Sequence, residues 1–400
     1  MSVPASMAQG DAGRSPAADL SAFPTSRAPV GLYIHVPFCV RKCRYCDFAS
    51  RPFSARELER YLDALKREIA QRPDGVAPST VYIGGGTPTA LPEAALERLL
   101  ALVREAVGSA RVEEWTCEAN PGTLTAAKAR ALRAAGVNRL SLGAQTFDAD
   151  QLLRLGRTHT AEAIGEAVAC ARAAGFDNIG LDLLYALPGQ SPSEAERDLE
   201  RALALWPEHL SLYALTIEDG TPFAAERDAG RLAAADDETA RAQYDRARAL
   251  LAGAGYIHYE ISNFARPGFE GRHNSLYWSG AEYLGFGPSA HSHWRGARRG
   301  NFQGLEEWAA ALSKGWKPIA FEERLDPAAR ARETLVFGLR RIAGWQREDF
   351  RRATGFDYDE LRGPEIEDLE RDGLLERGPE GLRLTEGALF VSDAVFRELI

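Results

Sequence analysis

Residues 31–46 read GLYIHVPFCVRKCRYC, and they carry most of the decision about the fold. The run Gly31–Val36 alternates apolar and polar residues in the β manner and stops at Pro37, which supplies no ladder donor. It opens directly into Cys39-x3-Cys43-x2-Cys46. Three soft thiolates on one short loop form a metal-binding spacing that suits iron–sulfur chemistry. Three ligands for four irons would leave one iron open. A structural zinc site, with His35 or Asp47 completing a tetrahedron, is the competing reading, but zinc spacings usually pair two Cys-x2-Cys halves. Cys117 and Cys170 fall inside a strand-like and a helix-like run and read as small buried residues.

Outward from the cysteine loop the chain repeats the strand-then-helix pattern. Candidate strands lie at Gly31–Val36, Thr80–Gly84, Val112–Glu118, Arg139–Gly143, Asn178–Leu183 and His209–Tyr213. The helices between them have readable ends: Ser54 before ARELERYLDALKREI, Thr125 before AAKARALRAAG, and the capping box Ser191-Pro192-Ser193-Glu194. Six βα units of this kind predict an α/β fold with a partial (β/α)6 barrel over residues 30–255, where ligands bind at the C-terminal ends of the strands. Residues 256–320, rich in aromatics, His and Gly, read as a less regular region attached to the barrel. Residues 321–400 give helical runs and then short strand signals, as in a small winged-helix-like α+β domain. Residues 1–29, rich in Ala, Ser and Pro, read as a disordered extension without the positive start and apolar run of a secretory signal.

Composition narrows the function. The chain is 45% apolar and 26% charged, as in ordinary globular enzymes, and its net charge of −9 with no long Lys/Arg run opposes nucleic-acid binding. No apolar stretch is long enough to span a membrane, so a cytoplasmic location is expected. Five cysteines, an odd number, favour metal or redox use over a disulfide framework.

Further motifs follow in order: GGGTPT at Gly84–Thr89, CEANPG at Cys117–Gly122, RLSLGAQTF at Arg139–Phe147, LGRTH at Leu155–His159 and DLLYALPGQ at Asp182–Gln190. With the cysteine loop they resemble the oxygen-independent coproporphyrinogen III oxidase-like radical S-adenosylmethionine (SAM) proteins, from about residue 31 to the C-terminus. Within that family the chain is similar to the HemW-type heme-chaperone branch. The decarboxylating oxidases carry another Cys two residues after the third ligand, where this chain has Phe48, and His273-Asn274-Ser275-Leu276-Tyr277-Trp278 is similar to the HNxxYW motif associated with heme in the chaperone branch.

The resemblance implies a [4Fe–4S] cluster on Cys39, Cys43 and Cys46, with SAM at the open iron and its reductive cleavage to a deoxyadenosyl radical as the family chemistry. It implies that Tyr33 and Tyr45 flank SAM, and that Gly85, Gly86 and Thr87 approach its amino acid part closely with exposed N–H groups. Glu118 is expected at the ribose or amino group and Asp182, at the end of the fifth strand, at the ribose hydroxyls. Gln145 and Arg157 are expected to reach SAM, Arg157 by bidentate pairing with its carboxylate. Taken singly, each of these polar residues also reads as an ordinary cap or ion pair. His273 is implied as an axial heme ligand beside Tyr277 and Trp278, with a satisfied structural histidine as the alternative. His291 and His293, in GFGPSAHSHW, form a second group in the same region. The implied function is binding of heme and its transfer to apo-hemoproteins such as respiratory ones, with SAM structural or reactive. The runner-up is an oxygen-independent coproporphyrinogen III dehydrogenase.

Overall fold

The computed structural model describes residues 29–379 and 381–400; the extension expected at 1–29 lies, but for Pro29, outside them. The first half alternates as read: β1 (Gly31–Val36), α1 (Ala55–Ala70), β2 (Thr80–Gly85), α2 (Glu93–Val107), β3 (Glu114–Ala119), α3 (Ala126–Ala135), β4 (Arg139–Gln145), α4 (Ala149–Leu155), α5 (Ala161–Ala173), β5 (Ile179–Tyr185), α6 (Pro192–Leu203) and β6 (His209–Ala214). Ser54 and Ser191 each close a capping box with the Glu three residues on, and the Thr125 hydroxyl accepts the Lys128 N–H. Each such cap stabilises its helix by about 1 kcal/mol.

Strands β1 to β6 pair in parallel and in chain order. Period-two alternation sends Leu32, Ile34 and Val36 to the core shared with Leu58, Leu62 and Leu65 of α1. It sends Tyr33 and His35 the other way, toward Tyr82 inside the barrel. A parallel sheet buried on both faces needs that arrangement.

Residues 215–324 add α7 (Pro222–Asp228), α8 (Asp237–Gly253), β7 (Ile257–Glu260), β8 (Asn263–Ala265), α9 (Arg272–Trp278), β9 (Tyr283–Phe286), β10 (His291–Trp294), β11 (Ala297–Asn301), α10 (Leu305–Ser313) and β12 (Ile319–Glu323). The region expected to be irregular therefore extends the sheet at both edges. Strand order is β12-β11-β10-β9-β1-β2-β3-β4-β5-β6-β8-β7. Strand β9 pairs in parallel with β1 and adds to the parallel row, while β8 pairs antiparallel with β6.

The C-terminal part holds α11 (Pro327–Leu339), β13 (Trp345–Gln346), α12 (Arg347–Thr354), α13 (Tyr358–Arg371), β14 (Leu375–Arg377), β15 (Gly381–Leu384) and α14 (Ser392–Leu399). Its small antiparallel sheet, β13-β15-β14, and its helices share a separate core with Leu335, Phe350, Tyr358 and Ile366. This domain docks on the barrel through the Ile261 N–H to Arg340 O (3.1 Å), the Ile342 N–H to Tyr259 O (3.2 Å), and the Arg340 guanidinium 4.6 Å over the Trp278 ring. Among the described residues no helix is long and apolar enough to cross a membrane.

One carboxylate ties the sheet extension to the barrel. Glu68 of α1 accepts from the Gly287 N–H (2.7 Å), Asn301 Nδ2 (2.6 Å) and Trp308 Nε1 (3.2 Å). Burial pushes its carboxyl up to about 8, so the folded protein keeps a proton there that the unfolded chain releases near the ordinary value of about 4. The stability this proton contributes is complete below the unfolded value and is lost as pH rises through about 8. Denaturation midpoints should fall from pH 5 to pH 8 in the parent and fall less in Glu68→Gln. Equal pH slopes in the two proteins would remove Glu68 from the account.

Candidate functional site

The cysteine loop leaves the C-terminal end of β1 and is fixed by backbone bonds on every side. The Cys39 N–H donates to Arg51 O (3.0 Å), the Gly86 N–H to Val36 O (2.8 Å) and the Thr87 N–H to Phe38 O (2.7 Å). From the far side the Arg44 N–H donates to Leu155 O (3.0 Å), and Arg44 O accepts from the Phe223 N–H of α7 (3.1 Å). Arg44 pairs with Glu226, and Tyr45 joins the small apolar cluster of Leu155, Leu184, Leu187 and Phe223.

Cys39, Cys43 and Cys46 are all free and partly exposed. Thr87 Oγ1 donates to Cys39 Sγ at 3.6 Å, and Arg157 Nη1 to Cys43 Sγ at 3.3 Å, while burial pushes the Cys39 thiol up. Burial, with Cys43 and Cys39 nearby, pushes the Cys46 thiol up to about 11, so iron would displace a proton there on binding. Among the described residues no three His, Cys, Asp or Glu side chains converge on one point as a mononuclear ion requires. An iron–sulfur cluster takes each thiolate at a separate iron and so asks for spaced thiolates. His35 is also committed, Nδ1 to the Tyr33 hydroxyl and Nε2 to Ala49 O, both at 3.0 Å, and it is not free to complete a zinc tetrahedron. The donor set therefore fits a [4Fe–4S] cluster.

The glycine turn after β2 works differently from the expectation. Its N–H groups are not open to a ligand: Gly85 donates to Glu118 Oε2 (3.0 Å), while Gly86 and Thr87 hold the cysteine loop as above. A Cβ on Gly85, whose φ is +100°, would fall 2.3 Å from His35 Nδ1. Close packing against His35 and Glu118 is what the glycines permit. Glu118 also accepts the Tyr82 hydroxyl (2.7 Å), and burial, with Asp182 nearby, pushes its carboxyl up to about 7.

Gln145 stands at an irregularity in the β4–β5 register with a left-handed backbone, φ 67°, a conformation that carries strain in a residue other than glycine. Its Nε2 and Arg157 Nη2 lie 2.9 and 3.1 Å from the point where a Gly143 Cβ would be, so the two side chains converge over that glycine. The Gln145 amide has no hydrogen-bond partner among the described residues. Arg157 Nη2 donates to Gly143 O at 2.6 Å, while its buried Nε has no hydrogen-bond partner. Asp182 lies in the middle of β5 rather than at its end, and accepts from Ser141 Oγ at 3.0 and 3.1 Å. Tyr33, Tyr45, Glu118, Gln145, Arg157 and Asp182 are thus gathered on the inner face and mouth of the barrel beside the cysteines. The bracing by Leu155, Phe223 and Glu226, and the contact of Arg157 with Cys43, carry no local sequence signal.

His273, Tyr277 and Trp278 are elsewhere. Helix α9 wedges into the N-terminal ends of β2 and β3, opposite to the cysteine loop. The Glu114 carboxylate accepts the N–H groups of Arg272 (2.8 Å) and His273 (3.0 Å). The His273 ring is 1% exposed, with Nδ1 bonded to Thr80 Oγ1 and Nε2 to the Tyr277 hydroxyl, both at 2.8 Å. Trp278 is buried beneath Arg340. The expected axial ligand thus has no free nitrogen in this structure, and the expected porphyrin-facing surface is covered, because the motif closes the barrel and binds the C-terminal domain.

Comparison with known proteins agrees with this architecture. Residues 33–202 match the Radical SAM superfamily and residues 325–391 the HemN C-terminal domain. The heme chaperone HemW of Lactococcus lactis is 35% identical over 93% of this chain and 97% of that protein. The chain belongs to the HemW family. HemW of Escherichia coli is 34% identical over 91% of this chain and 96% of its own length. The mitochondrial radical S-adenosyl methionine domain-containing protein 1 of Bos taurus is 34% identical over 100% and 96%. The fold is also that of the Escherichia coli coproporphyrinogen III oxidase HemN (TM-score 0.80, 24% identity, 95% of this chain and 91% of that one). In this HemW-family chain Phe48, in the cysteine loop, is 45% exposed.

Proposed function

We propose that the chain is a heme chaperone that binds heme and passes it to apo-hemoproteins, on a scaffold with a [4Fe–4S] cluster on Cys39, Cys43 and Cys46 and SAM in the barrel mouth. Phe48 carries the choice of chaperone over decarboxylase. An oxidase needs chemistry at a propionate, and the oxidase pattern has a thiol where this loop presents an exposed phenyl ring, with Val40 also 55% exposed on the same loop. Apolar surface at the mouth suits a planar hydrophobic ligand.

The cluster and SAM, when bound, supply one-electron chemistry. The chain's own residues hold and orient. Arg157 donates to Cys43 Sγ and keeps its buried Nε unpaired, and Gln145 presents its unpartnered amide beside it. Glu118 and Asp182 offer carboxylate oxygens from within the barrel, and Tyr33, Tyr45 and the Gly85–Gly86–Thr87 turn shape the walls around them.

Anaerobically reconstituted protein titrated with heme should bind one equivalent. In parallel, with coproporphyrinogen III, SAM and reductant, it should form no protoporphyrinogen. Turnover of coproporphyrinogen III would sink the reading in favour of the dehydrogenase.

A further inference from the structure

Seven histidines occur in the chain, all among the described residues. Six have ring nitrogens in hydrogen bonds: His35, His159, His209, His258, His273 and His293. His291 is the exception. Its exposed imidazole makes no hydrogen bond with the described residues and faces the Phe321 ring, at 5.5 Å between centroids in edge-to-face geometry. A free ring nitrogen is what an axial iron ligand requires, and His273, with both nitrogens bonded, has none.

The surroundings are built for access. His291 pairs with Gly300 across β10–β11, and Gly300 with Phe321 across β11–β12, so the three lie side by side on one face of the sheet. A side chain on Gly300 would collide with Phe321, its Cβ falling 2.2 Å from the ring. The glycine lets the phenyl ring lie down across the strand toward His291. Phe321 is itself 46% exposed, an apolar plate open to solvent. Gly285 flanks His291 on the other side: its Cβ would fall 2.1 Å from His291 O, so no side chain separates β10 from β1 at this level.

The position is rigid and near the cysteine loop. The turn before His291 includes Ser289 at φ 64° and Gly287, whose N–H is held by Glu68. His35 is close enough to His291 for the two to repel as cations, and His35 bonds Ala49 of the cysteine loop. Desolvation, with Arg298 nearby, holds the His291 imidazole below its usual range, so its neutral, ligating form prevails at neutral pH.

We propose that His291 is the axial ligand of the bound heme, which lies against Phe321 on the open β10–β12 face beside the barrel mouth. This rests on the chaperone reading and supplies its binding site.

Heme titration of the cluster-loaded protein, followed by difference absorption and resonance Raman, tests the assignment. His291→Ala should weaken binding at least tenfold and abolish the parent's heme spectrum, while leaving cluster content and far-UV dichroism unchanged, since the side chain makes no hydrogen bond with the described residues. His291→Cys should convert the spectrum to a thiolate-ligated form, which only direct coordination can do. A parent that takes up one heme, with His291→Ala matching its affinity and spectrum, overturns the ligand assignment and leaves the chaperone reading standing. A parent that takes up no heme overturns the chaperone reading and this assignment with it.

Discussion

Alanine at Cys39, Cys43 or Cys46 is expected to leave anaerobically reconstituted protein without retained iron and sulfide, while the chain still folds. Only three protein thiolates are offered, so losing one leaves a second iron unsupported. The loop does not depend on the thiols for its shape, because the Cys39, Arg44 and Thr87 N–H groups all bond to backbone carbonyls. Folding and metal retention should therefore separate cleanly. Cys117 and Cys170 provide the contrast. Cys117 is buried in β3, where desolvation pushes its thiol far up, and Cys170 sits on the outer helix α5. Alanine at either should leave iron and sulfide at the parent's level. Stoichiometric zinc without sulfide, or full iron retention in the Cys43→Ala protein, would overturn the cluster assignment.

The second large effect is expected at Arg157. Sequence logic places this residue on a segment remote from the cysteine loop, with SAM as its sole concern. The structure puts Nη1 on Cys43 Sγ and Nη2 on Gly143 O, so alanine there should disturb both cofactors. Hydrogen bonds to charged groups contribute about 1.5–3 kcal/mol each, which is roughly tenfold or more in an equilibrium constant. Arg157→Ala should bind SAM at least about tenfold more weakly and lose iron to a chelator faster than the parent. Arg157→Lys keeps the charge without the fork geometry and should recover iron retention better than SAM affinity. Equilibrium dialysis of SAM and the kinetics of iron loss read the two effects apart. If both match the parent in Arg157→Ala, the residue is only a packing element.

Much of the barrel is visible in the sequence because its signals are local. Gly31–Val36 is a strand from end to end as read, and Ser54, Thr125 and Ser191 cap the helices that follow them. The sheet extension is not visible in the same way. Strands β7 to β12 are 3 to 5 residues long, too short for a period to register, and are interrupted by glycines whose purpose appears only across the sheet, as at Gly300 beneath Phe321. The site divides along the same line. That Cys39, Cys43 and Cys46 share a loop is a fact of spacing. That the glycine-turn N–H groups are already bonded, or that His273 spends both nitrogens on Thr80 and Tyr277, depends on partners up to 193 residues away.

Those separations bear on how the chain assembles. The wedge α9 takes its cap from Glu114, 158 residues earlier, and its ring partner from Thr80, 193 residues earlier. Neither partner is in position until β2 and β3 lie side by side, so the wedge is expected to arrive after the barrel rather than seed it. Closing so long a loop costs entropy before any contact compensates, and such contacts form late. During synthesis the strands through β6 would emerge and pair with the lower end still open. The HNxxYW segment then acts as a stopper fitted once the vessel exists, with Trp278 seated under Arg340 of the C-terminal domain.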